Sequence, residues 1–261
     1  PSPAWLRVPM CRKPGALLMT LTAIREPLRR EMKRLLIVNP NSSDKMTQDI
    51  RNTVSYGIDK DFSIDVTKTP NSPDVLESFA DYTEAGREVI AFLKSMTAQG
   101  AFPYDGVLLG CMGDHCLYGV KEVCPVPLIG IAEAGISTAL LTGYKFSILA
   151  SSNKAKPMME SMVMTYGVIA RLASVETFGV PIEDFMQDEK RLCTYIREAS
   201  KKALSNGADV LLLGCAGMTM VQDKLSELSD IPVIDPIKAG LEQLKGILRG
   251  GFPISRSGLY A

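Results

Sequence analysis

The chain contains the same passage twice. Val107-Leu-Leu-Gly-Cys111-Met-Gly113 is matched by Val210-Leu-Leu-Leu-Gly-Cys215-Ala-Gly217, and Pro127-Leu-Ile-Gly-Ile-Ala-Glu-Ala-Gly135 is matched by Pro232-Val-Ile-Asp-Pro-Ile-Lys-Ala-Gly240. The offset is 104 residues for the cysteines and 105 for the prolines. A shift this constant points to duplication of a unit of roughly a hundred residues, an ordinary domain size. A weaker echo pairs Leu35-Leu-Ile-Val38 and the following Asn-Pro-Asn-Ser-Ser43 with Phe146-Ser-Ile-Leu149 and the following Ala-Ser-Ser-Asn153. Each half opens the same way.

Within each half the apolar runs are short, continuous and rich in Val, Ile and Leu, the pattern of strands buried on both faces. They predict strands near 34 to 38, 62 to 67, 105 to 110 and 127 to 131, then near 146 to 149, 173 to 178, 208 to 214 and 232 to 235. Helices fill the gaps. Ser43 or Asp44 is placed to cap a helix beginning at Lys45, and Asp184 to Ser205 carries Phe185, Leu192, Ile196, Ala199, Ala203 and Leu204 near helical period. A βα alternation of this kind predicts an α/β fold with parallel sheets.

Sites in such sheets form at the carboxyl ends of strands, where helix N-termini add oriented N–H groups. Asn39 to Ser43, Cys111 to His115, Ser151 to Asn153 and Cys215 to Thr219 all fall at such ends. Two loops from each half therefore converge in principle on one cleft. A thiol both takes and gives a proton, so two of them at equivalent positions are suited to flank a substrate from opposite sides. Cys111 and Cys215 are the candidate acid and base. An ordinary thiol has a pKa of about 8.5, so a modest local preference for the anion predicts one thiolate facing one thiol.

Competing chemistries are weaker. A zinc site on Cys111, His115 and Cys116 lacks paired ligand spacing and a fourth ligand, so no metal is expected. The glycines from Gly106 to Gly113 do not make a nucleotide loop, because a cysteine stands where a phosphate loop wants glycine. Cys124 and Cys193 read as small buried hydrophobes, and Met158, Met159, Met162 and Met164 as adaptable packing or a subunit contact. Asn41, Ser42, Ser151, Ser152 and Asn153 suit turns and helix caps as well as ligand contact. His115, the single histidine, is open to three roles: orienting the first cysteine loop, binding a carbonyl or capping the next helix. Glu133, Asp235 and Lys238 sit near helix starts, where dipole and ion-pair roles compete with catalysis.

With 29 basic and 29 acidic residues the formal charge is zero. Neither a nucleic-acid nor a membrane partner is suggested. Six cysteines spread through 261 residues do not form a disulfide framework, and no secretory signal stands out, so a cytoplasmic setting is expected. The first 31 residues carry six Arg or Lys against two Glu and do not match the duplicated unit. They read as a poorly ordered extension, with a short helix around Ala16 to Lys33.

Taken together, the Val38-Asn-Pro-Asn-Ser-Ser43 opening, the Gly110-Cys-Met-Gly-Asp-His115 loop, Val126-Pro-Leu-Ile-Gly-Ile-Ala-Glu-Ala134 and Leu213-Gly-Cys-Ala-Gly217 resemble the aspartate/glutamate/hydantoin racemase superfamily, most closely its hydantoin and allantoin racemase branch. The resemblance covers about residues 33 to 250. It implies two similar lobes, each a mainly parallel four-stranded sheet flanked by helices, related by a pseudo-twofold axis with the site between them. It also implies an N-terminal extension over 1–32, a first lobe over 33–132 plus 236–250, a second over 133–235 and a tail over 251–261. Cys111 and Cys215 then become the acid/base pair, with Asn41, Ser42, Ser151, Met112, Gly113, Ala216 and Gly217 around a small-molecule substrate. No cofactor is implied, and homo-oligomers are. The amino-acid branches commonly show Cys-Asn-Thr and Cys-Thr-His at the two loops; Cys-Met-Gly and Cys-Ala-Gly here offer fewer polar clamps, which favours an uncharged cyclic substrate. His115-Cys116 also departs from the Pro-Gly common in hydantoin racemases.

Overall fold

The computed structural model describes residues 32–55, 59–179 and 188–260. The first half runs β1 (Lys33–Asn39), α1 (Asp44–Val54), β2 (Phe62–Lys68), α2 (Phe79–Ala98), β3 (Gly106–Leu109), α3 (Leu117–Val123) and β4 (Leu128–Gly130). After α4 (Ile131–Thr142), the second half runs β5 (Phe146–Ala150), α5 (Ala155–Thr165), β6 (Leu172–Thr177), α6 (Glu189–Ser205) and β7 (Val210–Leu213). A 3₁₀ segment (Ala216–Lys224), the short α7 (Leu225–Leu228), β8 (Val233–Ile234) and α8 (Pro236–Gly250) complete it. Phe185 and the start of the predicted Asp184 to Ser205 helix lie outside the described residues, as do all but the last two residues of the helix expected over Ala16 to Lys33; Lys33 already belongs to β1.

Both sheets are entirely parallel, in the orders β2-β1-β3-β4 and β6-β5-β7-β8. The duplication thus extends from sequence to strand order. Each central strand is apolar on both faces because helices cover both: Leu35, Leu36, Ile37 and Val38 are buried in β1, and Leu211, Leu212 and Leu213 in β7. Ser43 rather than Asp44 caps α1, its hydroxyl accepting from Met46 N–H at 3.3 Å. Among the described residues no helix is long and apolar enough to cross a membrane.

The two sheets share one core because the last helix of each half crosses to the other. In the crossing, α4 follows β4 yet packs on β7, and α8 follows β8 yet packs on β3. The duplicated Ala-Gly pairs make this approach possible. A Cβ on Gly135 would lie 2.7 Å from Leu212 Cδ1, and one on Gly240 would lie 2.6 Å from Leu108 Cδ1. Both leucines are fully buried, each contributing roughly 1.5–3 kcal/mol of transfer free energy. The crossing helices are bonded to each other through Gln243, whose Nε2 donates to Ala134 O at 2.9 Å and to the Ser137 and Thr138 hydroxyls at 2.8 Å.

Candidate active site

The two cysteines leave their strands in the same way. Gly110 N–H donates to Val38 O and Gly214 N–H to Leu149 O, both at 2.8 Å, extending each ladder by one bond. Cβ atoms would crowd the neighbouring carbonyls there, most sharply at Gly214, 2.6 Å from Leu149 O. Cys215 then caps the 3₁₀ segment, and its sulfur accepts from Gly217 N–H at 3.4 Å. Cys111 is followed by a turn in which Asp114 N–H donates to Cys111 O at 3.1 Å.

Both thiols line one narrow cavity of about 40 Å³. Asn41, Met112, Gly113, Ser151 and Ala216 line it with them. Ser42 and Gly217 do not: Ser42 Oγ donates to Asp74 Oδ1 at 3.4 Å, and Gly217 acts through its N–H on the Cys215 sulfur. Of the other second-half loop residues, Asn153 accepts from Thr177 Oγ1 at 2.6 Å, and Ser152 Oγ is buried with no hydrogen bond among the described residues.

Asn41 is held by its neighbours. Its Oδ1 accepts from Asn39 Nδ2 at 2.7 Å and from Ser43 N–H at 3.0 Å, which fixes the amide orientation. Its Nδ2 donates to the Met46 thioether at 2.9 Å. A thioether is a weak acceptor and an amide nitrogen has two hydrogens, so Asn41 keeps donor capacity for a ligand carbonyl.

Burial sets the resting state of the thiols. It pushes Cys111 up to about 12 and Cys215 up to about 11, overriding the backbone N–H groups of Gly113 and of Gly217 and Met218 that favour the anions. The expected local preference for a thiolate is therefore outweighed, because apolar walls such as Met46, Leu76, Met158 and Met159 remove the solvent an anion needs. Glu77 also lines the cavity and raises Cys215 further.

Asp114, three residues beyond Cys111, is the polar centre of the loop. Its backbone is left-handed, with φ 41°, and its buried carboxylate accepts from Ala132 N–H at 3.2 Å, Glu133 N–H at 2.6 Å and Tyr166 Oη at 2.6 Å. It caps α4 from outside, in the space that a Cβ on Gly130 would need. In the second half the corresponding cap is built into the chain, with Asp235 Oδ1 accepting from Lys238 N–H at 3.0 Å. Burial raises Asp114 to about 7.

The neighbouring elements fill structural roles. Glu133 pairs with Lys121 at 2.7 Å. Cys124 and Cys193 are buried, whereas Cys116 is exposed. The 3₁₀ segment behind Cys215 docks on α1, with the Thr53 and Thr219 hydroxyls 2.8 Å apart. His115 is buried and stacks on Tyr82, ring centroids 5.0 Å apart.

Sequence reasoning did not single out Tyr82, Glu77, Asp114 or Tyr166. Tyr82 reaches the cavity from the first turn of α2 and Glu77 from just before it, a stretch that carries no cysteine. Asp114 had one available signal: α4 opens at Gly130 with no capping side chain, so its N-terminus needs an acceptor from elsewhere.

Comparisons with known proteins match most of the chain. A family model described as Asp/Glu/Hydantoin racemase matches residues 35–244. A hydantoin racemase from Paenarthrobacter aurescens is 28% identical over 228 residues, spanning 87% of this chain and 96% of that protein. An allantoin racemase structure from Klebsiella pneumoniae superimposes with a TM-score of 0.80 at 26% identity, covering 88% of this chain and 93% of that one. The allantoin racemase of Pseudomonas fluorescens gives the same TM-score at 24% identity, covering 87% and 96% of the two chains, a likeness of fold.

Proposed function

This chain belongs to the Asp/Glu/hydantoin racemase family, and from that premise we propose that it is a cofactor-independent racemase that inverts the stereocentre of a 5-substituted hydantoin or allantoin. Cys111 and Cys215 are its acid and base. The observation that carries this reading is the convergence of two equivalent strand ends, each bringing one thiol to the same cavity.

The proposed reaction is two proton transfers. One cysteine, as thiolate, takes the proton from the ring carbon beside the carbonyl, and the C–H electron pair moves into the carbonyl to give an enolate. The other cysteine, as thiol, delivers its proton to the opposite face of the same carbon. The two sulfurs finish with exchanged protonation states, so opposite enantiomers use them in opposite roles. A positioned acid or base contributes roughly 10²–10⁴-fold. The high thiol pKa values make the working thiolate a strong base, at the cost of a small resting population. Asn41 Nδ2 and the Met112 backbone N–H are the donors for the developing oxyanion.

The lining also bears on substrate charge. Among the described residues around the cavity none is Lys or Arg, while Glu77 is present. An amino-acid α-carboxylate would meet no side-chain cation in this lining, whereas a neutral ring needs none. The test is incubation of single enantiomers of allantoin, a 5-alkylhydantoin, aspartate and glutamate with the protein, followed by polarimetry. Loss of rotation confined to the ring compounds supports the reading, and loss confined to the amino acids overturns the substrate assignment.

A further inference from the structure

The cavity between the two thiols has a volume of about 40 Å³. An apolar cavity of about 150 Å³ is what benzene occupies, and a hydantoin ring with its carbonyl oxygens is no smaller than benzene. A wall of the site therefore has to move before a ring can enter. Interiors are close-packed, so a side chain moves readily only where an adjoining void can take it.

One such void lies beside the site. A second cavity, of about 350 Å³, is enclosed by α2, α3 and α5, and three residues line both cavities: Tyr82, Gly113 and Met158. Gly113 has no side chain to move. Met158 is buried in α5 at 4% exposure, whereas Tyr82 is only partly buried. The Tyr82 ring is the partition, since it fills the space that a Cβ on Gly113 would need. It is held there by stacking on His115, with centroids 5.0 Å apart, and by an edge contact with Phe79 at 6.4 Å. Both are contacts between rings, which a rotation breaks without unpairing a backbone group. Tyr82 stands in the first turn of α2, where an aromatic side chain has two favoured χ1 rotamers.

We propose that Tyr82 is a movable wall: its ring leaves Gly113 for the outer cavity, and the vacated volume admits a five-membered ring between Cys111 and Cys215. The outer cavity is then the receiving space for the protein's own side chain. Its volume is more than twice what benzene needs, so a phenol ring fits within it. The space left beside Gly113 is that of an aromatic ring, the size the incoming ring requires. What enters rests on the hydantoin reading, but the test below reads access to sulfur and not turnover, so the two fail separately.

The probes are N-ethylmaleimide, whose reactive part is a five-membered ring, and iodoacetamide, which is small and linear. Their labelling rates at Cys111 and Cys215 are measured by peptide mass spectrometry, at one alkaline pH, for the full chain, Tyr82→Ala and Ser161→Trp. The ratio of the two rates at one cysteine cancels its thiolate fraction. Ser161 is exposed on α5 and lines only the outer cavity, so a Trp there fills the receiving space and leaves the inner walls in place. The maleimide-to-iodoacetamide ratio at both cysteines is expected to rise at least tenfold in Tyr82→Ala and to fall at least tenfold in Ser161→Trp. A loosened fold would raise labelling at Cys124 and Cys193 as well, which are buried outside both cavities, and it cannot produce the fall. An unchanged ratio in Ser161→Trp would overturn the proposal whatever Tyr82→Ala does, and so would an unchanged ratio in Tyr82→Ala with Cys124 and Cys193 still protected. Neither result bears on whether the cysteines racemise a hydantoin, which polarimetry decides.

Discussion

The Asp114 carboxylate accepts the Glu133 backbone N–H at 2.6 Å. This bond ties the loop that carries Cys111 to the helix that crosses between the sheets. Asp114 also accepts from Tyr166 of the second half, so a single buried side chain joins the Cys111 loop to both halves.

Removing that acceptor leaves two helix N–H groups and a phenol unpaired. Asp114→Ala is expected to cost about 1–3 kcal/mol, or roughly 2–12 °C in Tm for a domain of this size. The second half, where Asp235 caps α8 in place, suggests the repair. Gly130→Asp should destabilise the wild type, because its Cβ meets the Asp114 carboxylate, yet recover stability in the Asp114→Ala background. Additive losses in the double variant, measured by thermal unfolding, would contradict this account.

Asp114 and His115 drive stability in opposite directions on acidification. The folded-state value of Asp114 is raised from 3.8 to about 7, so between those values the folded chain holds a proton the unfolded chain lacks, and lowering the pH favours folding. That of His115 is lowered from 6.5 to about 4, so in that window the unfolded chain holds the extra proton and lowering the pH favours unfolding. Asp114→Asn should therefore lose stability more steeply than wild type between pH 7 and 4.5, and His115→Phe less steeply. Parallel curves of Tm against pH for all three proteins would refute the assignment.

Burial of both thiols predicts slow alkylation at neutral pH. Inactivation by iodoacetamide should accelerate about tenfold per pH unit from 7 to 10, because Cys215 titrates near 11 and Cys111 near 12. A rate that is high at pH 7 and flat by pH 8 would show a stabilised thiolate instead. Following activity rather than label uptake keeps the exposed Cys116 out of the measurement.

Under the proposed mechanism each cysteine serves one face of the substrate, so neither should stand in for the other. Cys111→Ser and Cys215→Ser are each expected to reduce racemisation by at least 10³-fold, extending the general acid–base range of about 10²–10⁴, with unchanged circular dichroism. Full activity in either variant would remove that residue from the mechanism.

Much of the architecture was legible because buried parallel strands write themselves as continuous apolar runs. β1 and β7 were found to within two residues at each end, and the repeat gave both cysteine loops. The hidden part consists of contacts between residues far apart in the chain. Nothing local marks Tyr82 as a wall of the site, since its position depends on how α2 packs against the His115 loop. The thiol pKa values were misjudged for a similar reason: the N–H groups after each cysteine could be read from the glycines, but the apolar enclosure by Met46, Leu76 and Met158 could not. Residues such as Ser42, promising by position, turn aside to bond a neighbour.

The most direct test of a thiol on each face is deuterium placement at early times. One enantiomer of a 5-substituted hydantoin is incubated with the protein in D₂O, and substrate and inverted product are separated on a chiral column before a tenth has reacted. The account predicts deuterium at the reacting carbon of the inverted product and none above background in the recovered substrate, for either starting enantiomer. Deuterium entering the recovered substrate as fast as the product would mean that one group serves both faces, and would contradict the roles given to Cys111 and Cys215.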